Sequence, residues 1–138
     1  MPLFTPAGAI GTLAVSGNGT VTGTLGVTGA LTASGGATPT GDVTVNTGNV
    51  VVNTAGNGLR IKEGSNATSG TLTLNGATPV VVSTTSVTAN SRIYLTTNTV
   101  GGTPAFCWIS ARTAATSFSV TGVALDTSTV AWLIVEPA

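Results

Sequence analysis

The sequence predicts an all-β protein in two parts, an N-terminal β shaft followed by a small jelly-roll or β-sandwich knob. Three observations carry this. Residues 12–35 spell one hexapeptide four times, as TLAVSG, NGTVTG, TLGVTG and ALTASG. The chain holds 28 Thr and 19 Gly with abundant Val, a β composition, since β-branched side chains fit a pleated surface and glycine serves the turns. From residue 58 onward, short apolar runs recur at a spacing of about ten residues between turn signals. No stretch carries a helical stripe or a capping box.

In the hexads Val15, Val21 and Val27 recur every six residues, Ala33 takes the next slot, and Gly17, Gly23, Gly29 and Gly35 close the units. An even period returns each valine to one face of an extended chain, whereas on a helix it would drift. The candidate shaft core is Leu13, Val15, Val21, Leu25, Val27 and Leu31. So few large side chains cannot offset the ordering of so many backbones, and repeats that cannot bury their face singly need neighbours. The expected neighbours are two further copies, giving a triple-β-helix-like homotrimer with strand edges paired between chains. Residues 36–41, with Pro39, mark a break. Residues 42–57 form a looser repeat in which Val43, Val45, Val50 and Val52 alternate and Asn46, Gly48, Asn53 and Gly56 supply turns. Residues 1–11 hold two prolines and read as an arm. Leu3, Phe4 and Ile10 are its candidate anchors for docking on a particle, with terminal disorder as the alternative.

The knob is expected over 58–138, with strands at 59–63, 71–74, 80–83, 92–97, 105–111, 117–121 and 129–135. Turn signals at 64–66, 75–76, 98–102 and Gly122 separate them. Tyr94, Phe106, Trp108, Phe118 and Trp132 all fall here, so this part should nucleate folding and clamp the shaft. Trp108 and Trp132 are expected in its core rather than stacked on sugars. Cys107, the lone cysteine, is expected to be buried as a small apolar residue.

Only 6% of residues are charged, and the formal net charge is zero. No basic patch invites nucleic acid, and a neutral chain lacks the self-repulsion that keeps copies apart. Large-apolar runs are only a few residues long, as at 80–82 and 133–135, so no membrane partner is expected. The opening residues lack the basic and apolar regions of a secretory signal, and synthesis in a reducing cytosol is the expectation. The absence of histidine removes His-dependent triads and imidazole metal sites, and one cysteine cannot build a thiolate site, so neither cofactor nor metal is expected. A glycosidase needs two acids flanking a sugar. Asp42 and Glu63 lie in different segments, while Asp126 and Glu136 bracket one strand. The chain therefore reads as no enzyme, its acids being solvated turn residues or ion-pair partners of the arginines. Arg92 and Arg112 adjoin core strands and are expected in ion pairs, the alternative being a grip on a partner carboxylate. Gly17-Asn18-Gly19 and Gly101-Gly102 lack the following helix and lysine of a phosphate loop. Threonine pairs such as Thr20/Thr22 and Thr71/Thr73 do not continue at one period, which argues against an ice-binding array.

Residues 58–67 (GLRIKEGSNA), 91–95 (SRIYL), 101–104 (GGTP), 110–114 (SARTA) and 126–137 together resemble a module of tailed-bacteriophage virion proteins, found at the carboxyl end of fibre-type proteins and in short structural proteins. The hexads separately resemble phage fibre shafts. The resemblance implies a trimeric component of the virion surface, made in the host bacterial cytoplasm. Long tail fibres are larger and carry a baseplate-binding domain. The expected function is accordingly a short homotrimeric head fibre or capsid decoration protein, docked by its arm on the phage capsid or another virion protein. The alternative is a receptor-binding tail fibre tip that contacts a host surface glycan.

Overall fold

Six short strands carry the ladders of this computed structural model, which describes residues 18–137. They are β1 (Ser69–Thr73), β2 (Val80–Ser83), β3 (Arg92–Thr99), β4 (Trp108–Thr113), β5 (Ser117–Thr121) and β6 (Thr129–Val135). One antiparallel sheet has the order β1-β6-β3, the other β2-β5-β4. The protein is thus all-β, with no helix among the described residues. Six strands in two sheets fall short of the eight of a jelly roll, so the sandwich half of that expectation is the one realised.

Alternation decides which side chains meet. In β6 Val130, Trp132 and Ile134 are buried while the residues between them are only half-buried, and β5 buries Phe118 and Val120. Leu72, Leu74 and Val87 complete the core, with Val80, Val82, Ile93, Leu95, Cys107 and Ile109 packed around it. The two sheets meet where the Phe118 and Trp132 rings cross edge to face, centroids 5.3 Å apart. Trp132 has room because its β1 partner is Gly70. A Cβ at residue 70 would lie 2.8 Å from the indole Cζ2.

Three expected strands, 80–83, 117–121 and 129–135, have the observed bounds. β3 runs on to Thr99 through a register shift after Thr97, and β4 starts at Trp108 rather than at residue 105. Residues 59–63 form no strand. Their alternation is real, but a ladder needs a neighbour, and neither sheet offers them one.

The chain divides into two units, Met1–Asn49 and Val50–Ala138. Residues 18–57 contain no strand, and Val21, Leu25, Val27, Leu31, Val43, Val45, Val50 and Val52 are all exposed. Among the described residues, the hexads at 18–35 find no partner to pair with within one chain. Gly36, Gly48 and Gly56 take positive φ (90°, 94° and 84°), marking turns in the break and in the looser repeat. Leu13 and Val15 of the expected shaft core, and Leu3, Phe4 and Ile10 of the expected arm, lie outside the described residues.

Candidate interaction surface

Of the four acids, Asp126 departs from the expectation of a solvated turn residue. Asp126 is fully buried just before β6. Its Oδ1 accepts the Ser128 amide at 2.9 Å and its Oδ2 accepts the Ala105 amide at 3.1 Å. Hydrogen bonds from Ser128 hold its carboxyl below the ordinary value, with a smaller share from the Ala105 amide, and together they outweigh the desolvation that would raise it. Around it the Gly76 amide donates to the Asp126 carbonyl (2.8 Å), the Thr103 amide to the Leu125 carbonyl (2.9 Å) and the Gly101 amide to Ser128 Oγ (3.1 Å). Gly101 and Gly102 are glycines because the backbones touch: a Cβ would lie 2.6 Å from the Thr127 carbonyl oxygen at the first and 2.0 Å from that of Leu125 at the second. The sequence signal for this anchor is Asp126-Thr127-Ser128, in which an aspartate caps the amide two residues on.

Glu136, beyond the other end of β6, accepts the Thr88 hydroxyl at 2.7 Å and the Ser91 hydroxyl. Those hydroxyls, Ser91 first, lower its carboxyl, with a smaller contribution from the Arg112 charge. Arg112 itself donates to the Ala89 carbonyl at 3.2 Å. Arg92 is exposed and stands opposite Val135. At about 3.3 Å per residue, β6 alone holds the two acids roughly 20 Å apart, well beyond the spacing of about 5–9.5 Å that glycoside hydrolysis uses. Asp42 and Glu63 are exposed. No cluster of three or more metal-ligating side chains occurs among the described residues.

Trp132 is in the core as expected, and Trp108 is not. On edge strand β4, Trp108 pairs with Thr121 on the face opposite Ile109 and Val120, so its ring points outward. It is 42% exposed and Phe106 is 73% exposed. Their centroids are 5.5 Å apart with the planes tilted by 32°. Between them Cys107 turns inward and is half-buried against the core. Burial first, and the nearby Asp126 charge second, push its thiol up, so it remains protonated.

The outward face of β1-β6-β3 bears an open hollow of about 340 Å³, with Tyr94, Thr96, Ala131 and Leu133 on its floor and Leu59 and Ile61 beside them. The residues expected as a strand at 59–63 thus flank a sheet face without pairing to it.

Comparison with curated proteins and with solved structures returned no match. A family described as K1 capsule-specific polysaccharide lyase, C-terminal domain, matches residues 66–135. That span takes in all six strands, the Asp126 anchor and the Phe106–Trp108 pair, and it supports the resemblance to fibre-type phage proteins at a coarse level. Since the match extends over just over half of its residues, this chain belongs to the family of K1 capsule-specific polysaccharide lyase C-terminal domains.

Proposed function

We propose that this chain is a structural component of a tailed-phage virion, a short homotrimeric fibre whose sandwich serves as a non-catalytic knob. The observation that carries the reading is the family match over residues 66–135. The exposed hexads supply the reason for a trimer. Val21, Leu25, Val27 and Leu31 sit in solvent in the single chain, an arrangement that burial against further copies would stabilise by about 1.5–3 kcal/mol for each side chain fully covered.

Two placements share this architecture. One is the head fibre or capsid decoration protein, docked by an arm that includes Leu3, Phe4 and Ile10 on the capsid or another virion protein. The other is a tail-side position facing a host surface glycan. The family's namesake is a lyase of capsule polysaccharide, and this favours the tail side. Immunogold labelling of intact particles tests the placement, with label expected at the tail. Label on the head returns the reading to decoration, and unlabelled particles refute a virion role. Sedimentation of the full chain at micromolar concentration should give a trimer, and Val27→Asp should dissociate it. A folded monomer refutes the shaft.

A further inference from the structure

We infer that Phe106 and Trp108 form a saccharide-binding platform held in place by Asp126, an inference that rests on the tail-side reading above. The chain has only six aromatic residues. Phe118 and Trp132 build the core, whereas Phe106 and Trp108 are exposed and in contact with each other. The two rings pack against each other with their centroids 5.5 Å apart and their planes tilted by 32°, and leave apolar ring surface open to solvent. The negative face of an aromatic ring attracts weakly positive hydrogens, which the C–H face of a pyranose supplies.

The surroundings suit a sugar better than a protein. The outward face of the same sheet carries Ser83, Ser110, Ser117 and Ser119, with the exposed Val81 among them. Ser110 accepts the Thr121 hydroxyl at 2.7 Å and lies 3.4 Å from the Ser119 carbonyl, to which it donates. Serine is depleted from the cores of protein interfaces, while hydroxyls that both donate and accept complement those of a glycan.

The platform is also rigid. Asp126 spends one carboxylate oxygen on the amide of Ala105, the residue before Phe106. Thr103 is tied to Leu125, and Gly102 (φ +59°) lets the two backbones touch. A loop already ordered loses little entropy on binding. Asp126 is on this view a positioning residue, whose buried carboxylate holds the loop that displays the rings.

The test uses the full chain, with oligosaccharides cut from K1 capsule polysaccharide as probe, titration calorimetry for affinity, and iodide quenching of tryptophan fluorescence for coverage. Trp108 is the half-exposed indole and Trp132 the buried one, so quenching reports on Trp108. Saturable binding that shields Trp108 is expected. It should weaken about tenfold in Phe106→Ala and Trp108→Ala, the scale of one lost aromatic contact, and be unchanged in Tyr94→Ala on the other sheet, with thermal unfolding showing that each variant is folded. Equal binding by all variants overturns the platform but leaves a glycan-facing fibre. No saturable binding overturns the platform, while the tail-side placement is judged separately by immunogold labelling and the trimer by sedimentation. Shielding of Trp108 before any saccharide is added means that another copy covers the rings, and overturns the platform.

Discussion

Replacing Gly70 with alanine should destabilise the sandwich measurably through a single methyl group. Gly70 stands opposite Trp132 in the β1–β6 ladder. The added Cβ would lie 2.8 Å from Cζ2, 3.1 Å from Cε2 and 3.3 Å from Nε1 of the indole. Ordinary carbon contacts are about 3.5–4.0 Å, so ring or strand must yield by roughly 0.7 Å. The ring has nowhere to go, being 6% exposed and set edge to face on Phe118. Overpacking of this kind costs about 1–3 kcal/mol. The reduced freedom of the unfolded chain offsets about 0.4–1 kcal/mol. The middle of these ranges leaves a net loss of about 1.3 kcal/mol, which should lower the midpoint by roughly 5–10 °C for a domain of this size. Thermal unfolding followed by fluorescence and near-UV circular dichroism measures it, at one protomer concentration because assembly shifts midpoints. Trp132→Phe supplies the cross-check. It removes the atoms the methyl would strike, and also a buried indole N–H that has no acceptor. The double variant should therefore be less destabilised than the sum of the singles by about 1 kcal/mol. An unchanged midpoint for Gly70→Ala, or strict additivity, would refute this account of the β1–β6 contact.

Acid should unfold the sandwich through Asp126 and Glu136. Both carboxyls are lowered from ordinary values of 3.8 and 4.5, so their contribution is complete above those values and is lost as the pH falls through the lower folded-state values. Asp126→Asn and Glu136→Gln should each lower stability at neutral pH and flatten the acid limb of a urea-midpoint profile, and a limb of unchanged slope in both would argue against this linkage. Deleting residues 129–138 removes the middle strand of β1-β6-β3 together with Val130, Trp132 and Ile134. No cooperative melt should remain, and a preserved one would contradict the central place of β6. Leu125 holds φ at +69° and is 75% exposed, a conformation that costs a side-chain-bearing residue about 1–2 kcal/mol. Leu125→Gly should raise stability by roughly 0.5–1 kcal/mol once the added freedom of the unfolded chain is subtracted. A fall in the urea midpoint would show that the leucine side chain contributes more than its backbone costs.

Much of the sandwich was legible because strand signals are local. The runs at 80–83, 117–121 and 129–135 combine apolar or alternating β-formers with flanking turn residues, and their ends coincide with β2, β5 and β6. The start of β4 was not legible, since residues before Trp108 are drawn into a loop by a hydrogen bond from the Ala105 amide to the Asp126 carboxylate, 21 positions away. Segment 59–63 had the pattern of a strand and lacked the partner that makes one. The candidate surface was half legible. The two tryptophans are alike in sequence terms, yet Trp132 faces the core and Trp108 faces solvent.

By itself the sequence determined the β character, the places where the chain turns, and the lack of histidine and of a second cysteine. All of these are properties of single residues and near neighbours. The tertiary structure decided which of two like residues is covered, which acid is buried without a cation, and that the last strand lies between the first and third. Pairing and burial belong to two segments at once, and no reading of either segment alone contains the other.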